Sequence, residues 1–82
     1  MFKNKADDGR HNISGLNIAA RRKFMRISQR ELADRIRAYN IDVTKNAIQR
    51  IESGRRFVTD IELKALAEVL GCSVSDLLAG PG

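Results

Sequence analysis

The side chains able to do chemistry in this chain are mostly cations, and they are unevenly placed. Residues 1–15 carry a net +1, residues 16–58 a net +7 and residues 59–82 a net −3. The middle stretch holds eleven Lys or Arg against Glu31, Asp34, Asp42 and Glu52. A strongly basic segment beside a mildly acidic one is the pattern of a one-faced binder of phosphate backbone. Arg-rich solvated helix faces are the plainer explanation of the same charge. Nucleophilic and metal chemistry have little to work with. The single Cys excludes an internal disulfide framework, and one Cys with one His excludes a zinc finger. Glu52 has no His, second carboxylate or nucleophile in its company, so no enzyme is expected.

The elements that must hold these cations read as helices. The chain has 82 residues, 9.2 kDa, 43% hydrophobic and 30% charged residues, which supports one small globular domain. No apolar run approaches the roughly 20 residues of a membrane span. The N-terminal residues lack the apolar stretch of a signal peptide, so a reducing cytoplasm is the expected compartment, with no membrane partner. Residues 1–13 are polar and aperiodic and read as a flexible arm, with His11 solvated in it. A first helix is expected from Leu16 or Ile18 to Met25, with Ser14 as N-cap. Ser28-Gln29-Arg30-Glu31 is a capping box opening a second helix, with Leu32, Ala33 and Ile36 on one face. That helix should fade near Tyr39-Asn40. Thr44 caps a third helix with Ala47, Ile48 and Ile51 as its apolar stripe and Gly54 as its stop. Thr59-Asp60-Ile61-Glu62 is another capping box, followed by Leu63, Leu66, Ala67 and Leu70 at helical spacing and by Gly71. Ser73 caps a last short helix with Val74, Leu77 and Leu78 inward, and Gly80-Pro81-Gly82 cannot continue it. The resulting division is an arm over 1–13, a folded domain over 14–79 and a tail over 80–82. The fold class is all-α with five short helices.

A helix pair joined by a few residues is the shape of a helix-turn-helix. Three stretches go beyond the shape. They are Ile27-Ser28-Gln29-Arg30-Glu31-Leu32-Ala33, Ala47-Ile48-Gln49-Arg50-Ile51-Glu52-Ser53-Gly54-Arg55-Arg56, and Glu62-Leu63 through Leu70-Gly71-Cys72-Ser73-Val74 with Leu77-Leu78. In this order they resemble the lambda-repressor/Cro-like, or xenobiotic-response-element type, helix-turn-helix DNA-binding family over about residues 14–79. The resemblance implies a five-helix bundle whose helices 2 and 3 form the helix-turn-helix, with helix 3 in the major groove.

Matched residue by residue, the resemblance implies base contacts from Lys45, Asn46, Gln49 and Arg50. Lys and Arg suit the guanine acceptors, and Asn and Gln suit adenine. It implies phosphate contacts from Ser28, Gln29, Ser53, Arg55 and Arg56. Arg22 and Glu52 match a structural ion pair joining helix 1 to helix 3. Arg21, Lys23 and Arg26 could touch phosphate or serve solubility. Two departures stand out. Ala33 to Ile48 spans roughly five residues more than the family pattern, so helix 2 should run on through Arg37 and Ala38, with Tyr39 to Asp42 as a longer connection. Arg26 stands where the pattern often has Gly, so helix 1 is expected to end differently.

Cys72 is expected as a small buried hydrophobe, and Phe24, Met25 and Phe57 in or beside the core. Phe57-Val58 with Leu77 and Leu78 could form a dimer contact or pack within the chain. The expected function is a sequence-specific, duplex-DNA-binding transcriptional regulator of phage or bacterial type. It would act as a homodimeric, nucleoid-associated repressor on an operator, without cofactor or metal. The competing readings are an antitoxin whose main partner is a toxin protein, and a protein-bridging adaptor using the same fold.

Overall fold

The structure, a computed structural model, describes residues 9–79. Residues 1–8 of the expected arm and the expected 80–82 tail lie outside the described residues. Among the described residues there are five α-helices and no strand: α1 Gly15–Phe24, α2 Gln29–Ile36, α3 Lys45–Glu52, α4 Asp60–Val69 and α5 Val74–Leu78. A 3-10 turn, Arg37–Tyr39, continues α2.

Short polar side chains start four of these helices, because the first helical N–H groups have no partner inside the helix. Ser28 accepts from Glu31 N–H, Thr44 from Ala47, Thr59 from Glu62 and Ser73 from Asp76. The reciprocal half of the capping box forms at Thr59–Glu62 and at Ser73–Asp76. The expected box at Ser28 is only half made. The Glu31 carboxylate turns one helical turn onward to the Arg35 guanidinium instead. Ser14 does occupy the N-cap position of α1, but its side chain makes no cap bond and is buried. Asn12 Oδ1 takes over that role, accepting from Gly15 N–H at 2.8 Å.

Three helices end in the same way. After α1, Arg26 N–H donates to Lys23 O and Ile27 N–H to Arg22 O. After α3, Gly54 donates to Ile51 O and Arg55 to Arg50 O; after α4, Gly71 donates to Glu68 O and Cys72 to Ala67 O. Each is a Schellman closure, which needs a left-handed residue just past the helix. Gly54 and Gly71 supply it at φ +81° and +68°. Arg26 supplies it at φ 60° with a full side chain. Helix α1 therefore ends as it would with glycine, contrary to the expected difference.

The core is formed by Ile18, Ile27, Leu32, Ala33, Ile36, Val43, Ile48, Ile51, Leu63, Ala65, Leu66, Ala67, Leu70 and Leu77. Helix α2 packs on α3 and α4, and α1 on α3 and α5. Cys72 packs against this core but is half-buried rather than fully buried as expected, and burial raises its thiol pKa. The lengthened connection is accommodated outside the core. Arg37, Ala38, Tyr39 and Asn40 are exposed, Asn40 turns the chain at φ 60°, and Val43 returns to full burial.

Several expectations are corrected. Phe24 is 87% exposed rather than in or beside the core. It continues the Leu16–Ala20 line of α1 at steps of four, which faces away from the line of Ile18 and Met25. Leu78 is also exposed; the short α5 turns Leu77 inward instead. Leu77 is wholly buried within the chain and is not available to the dimer contact sketched above. His11 is not solvated but half-buried, with its ring edge-on to Phe57 at 4.8 Å between centroids. Residues 10–12 of the expected arm are hydrogen-bonded to the end of α3 and the loop after it.

Candidate nucleic-acid interface

Helix α3 has eight residues and two faces. Ile48 and Ile51 are fully buried. Lys45, Asn46, Gln49 and Arg50 are all exposed. At about 100° per residue these four fall within an arc of roughly 140° opposite the isoleucines. The apolar pair thus fixes the rotation of the helix, and that rotation turns the polar set outward.

Asn46, Gln49, Arg50, Ser53 and Arg55 line one shallow surface depression. Three candidates for base contact and two for phosphate contact are thereby brought together. Lys45 stands outside that depression, in the first turn of the helix. Ser53 Oγ donates back to Arg50 O at 3.2 Å, and Arg55 is exposed just beyond the Schellman closure.

The remaining candidates divide. Ser28 is exposed at the N-terminus of α2, where free N–H groups and the helix dipole favour an anion. Gln29 is half-buried, and its Nε2 donates to Glu52 Oε1 at 3.0 Å. Arg56 faces α4. Its guanidinium donates to both Glu62 carboxylate oxygens at 2.9 Å and to Phe57 O. The expected phosphate contact of Arg56 thus competes with a two-pronged ion pair already in place. That pair, through hydrogen bonding to Arg56 first, holds the Glu62 pKa below its ordinary value.

Arg22 and Glu52 pair as expected. Arg22 Nε donates to Glu52 Oε2 at 2.7 Å and Nη2 to Oε1 at 3.0 Å. The two side chains are 11% and 9% exposed. Arg22 Nη1 also donates to Ile27 O at 3.0 Å. One carboxylate on α3 therefore gathers a guanidinium from α1 and an amide from α2. The hydrogen bond to Glu52 raises the pKa of Arg22, so its charge is secure.

Sequence reasoning missed Arg10 and Asn12. Both donate to carbonyls at the end of α3, more than thirty-eight positions away in the chain. No local pattern signals such a contact.

The helix-turn-helix family model matches residues 18–77. The crystal structure of the P22 c2 repressor, in complex with a synthetic operator, superposes with a TM-score of 0.71 at 32% identity. That match covers 84% of this chain and 97% of the repressor chain. The clp gene regulator ClgR from Corynebacterium glutamicum gives a TM-score of 0.71 at 29% identity, over 80% of this chain and 65% of the ClgR chain. No curated protein sequence matches. The chain belongs to the helix-turn-helix family and is a DNA-binding transcription regulator with a lambda-repressor-like fold. No helix among the described residues is long and apolar enough to cross a membrane.

Proposed function

We propose that the protein is a sequence-specific repressor that occupies an operator as a homodimer, each protomer laying α3 in the major groove of one half-site. The observation that carries this is the exposed set Lys45, Asn46, Gln49 and Arg50, opposite two fully buried isoleucines. Side chains held this way can reach base edges without disturbing the core. Arg50 suits the two acceptors of guanine, and Asn46 and Gln49 suit adenine. Ser28 at the start of α2 and Arg55 after α3 would grip the phosphates on either side, positioning the helix without reading sequence. Gln29 and Arg22, gathered on Glu52, act on the DNA through the orientation of α3. The similar P22 c2 repressor, whose structure contains operator DNA, supports repression by occupancy.

A binding selection from random duplex DNA tests the reading. Recovery of one motif repeated with two-fold symmetry is the expected result. Binding that shows no base preference and vanishes near physiological salt would favour a protein-bridging adaptor instead.

A further inference from the structure

The last carbonyls of a helix lack intrahelical donors. At the end of α3 and in the loop after it, the carbonyls are met by three consecutive residues that precede α1. Arg10 Nη2 donates to Glu52 O at 2.6 Å and to Ile51 O at 3.4 Å. Asn12 Nδ2 donates to Ile51 O at 2.9 Å and to Arg56 O at 2.8 Å. His11 N–H donates to Gly54 O at 2.8 Å. The Arg10 cation also sits at the negative end of the α3 dipole, which favours it there.

Arg55 lies between two of these held carbonyls, those of Gly54 and Arg56. Its own N–H donates to Arg50 O at 2.8 Å. The backbone is fixed on both sides of Arg55 while its side chain remains exposed. Two glycines leave the room this requires. A Cβ on Gly54 would lie 2.8 Å from Arg10 Cγ and Cζ. One on Gly15 would lie 2.7 Å from Asn12 Oδ1 and 2.8 Å from Arg10 Nη2, and against the Ile51 carbonyl.

We propose that Arg10, His11 and Asn12 form a clasp that positions Arg55 for the DNA backbone, an inference that rests on the reading of Arg55 as a phosphate contact. The three are positioning residues. Their hydrogen bonds order the loop during folding, so less ordering is left to be done when DNA binds.

The test uses the full chain and an operator duplex from the selection, with affinity measured by fluorescence anisotropy over a series of salt concentrations. Asn12→Ser replaces the amide oxygen with a hydroxyl that can still accept from Gly15 N–H, at the spacing Ser28 and Thr44 use, but is too short to reach Ile51 O and Arg56 O. Arg10→Met retains an apolar stem and loses the donors. Each should weaken binding about fivefold and reduce the salt slope by about one, the loss of one phosphate contact. In an Arg55→Ala background neither should weaken binding or reduce the slope further. Arg10→Lys should restore most of the slope.

Equal losses in both backgrounds with an unchanged slope would mean that the clasp acts on folding alone and would overturn the proposal. A further fall in slope on adding Arg10→Met to Arg55→Ala would make Arg10 itself a phosphate contact, and would overturn the positioning role equally. Arg55→Ala alone tests the underlying reading: an unchanged slope there removes the phosphate contact, and the clasp's purpose with it. Thermal melting checks that each variant folds. Hydrogen exchange on the unsubstituted chain needs no variant. The His11 amide should exchange as slowly as those of α3, and fast exchange overturns the clasp.

Discussion

At the scale of single residues, backbone conformation and side-chain chemistry make separate demands. Arg26 sits at φ 60°, a left-handed conformation that crowds any Cβ. Arg26→Gly should therefore stabilise the protein by about 0.5–1 kcal/mol, after allowing for the extra freedom of glycine in the unfolded chain. Thermal melting measures it, and a fall in melting temperature would contradict the account. Gly54 presents the opposite case. At φ +81°, with the Arg10 stem where a Cβ would go, it has no room for alanine, and Gly54→Ala should destabilise. Arg50 makes its demand on the ligand side. If it reads guanine, Arg50→Ala should cost about 1–3 kcal/mol on the selected operator and relax preference at one base pair. An equal loss on random duplex DNA would assign it to the backbone instead. Residue types alone made this candidate set legible. They did not show that Arg56 is engaged by Glu62.

At the scale of elements, one buried ion pair joins two helices and a second joins the loop after α3 to α4. Arg22 and Glu52 tie α1 to α3, and Gln29 adds α2. Removing one partner leaves the other charge buried, so Glu52→Ala should cost about 3 kcal/mol in urea unfolding. Replacing both, as Arg22→Met with Glu52→Leu, should recover much of that loss. A double variant no more stable than the single one would show that the pair contributes net stability. The second pair, Arg56–Glu62, lies where the loop after α3 meets α4. Glu62 has a lowered pKa in the folded chain. Its stabilising contribution is therefore complete above the ordinary glutamate range and is lost as pH falls through the lower folded value. Glu62→Gln should flatten the acid limb of the stability profile below about pH 4, and an unchanged limb would contradict the coupling. The helices themselves were legible, because polar caps, left-handed stops and apolar spacing repeat along the chain. Phe24 is hydrophobic, but its helical phase places it opposite the core.

For the whole molecule, the distribution of charge matters more than its total. The +7 of residues 16–58 falls on α1 to α3 and the loop after them, and the −3 after residue 58 falls on α4 and α5. A basic segment of this kind should give a steep salt dependence of DNA binding. The proposed dimer would place two copies of α3 at half-sites roughly 34 Å apart. Sedimentation of the complex should then show two protomers per operator, and a single protomer would refute the dimer. Phe57 and Leu78 are exposed, whereas Leu77 is not.

The sequence by itself determined the elements and the polar face of α3. Caps, stops and apolar periodicity act over a few residues, so they can be read in order along the chain. The tertiary structure alone decided which polar groups meet across long separations. Asn12 reaches Ile51 and Arg56, Gln29 reaches Glu52, and Arg10 reaches the last carbonyls of α3. Such bonds depend on where packed helices bring their ends, and the packing of α1 against α3 is a property of the whole core rather than of any local pattern.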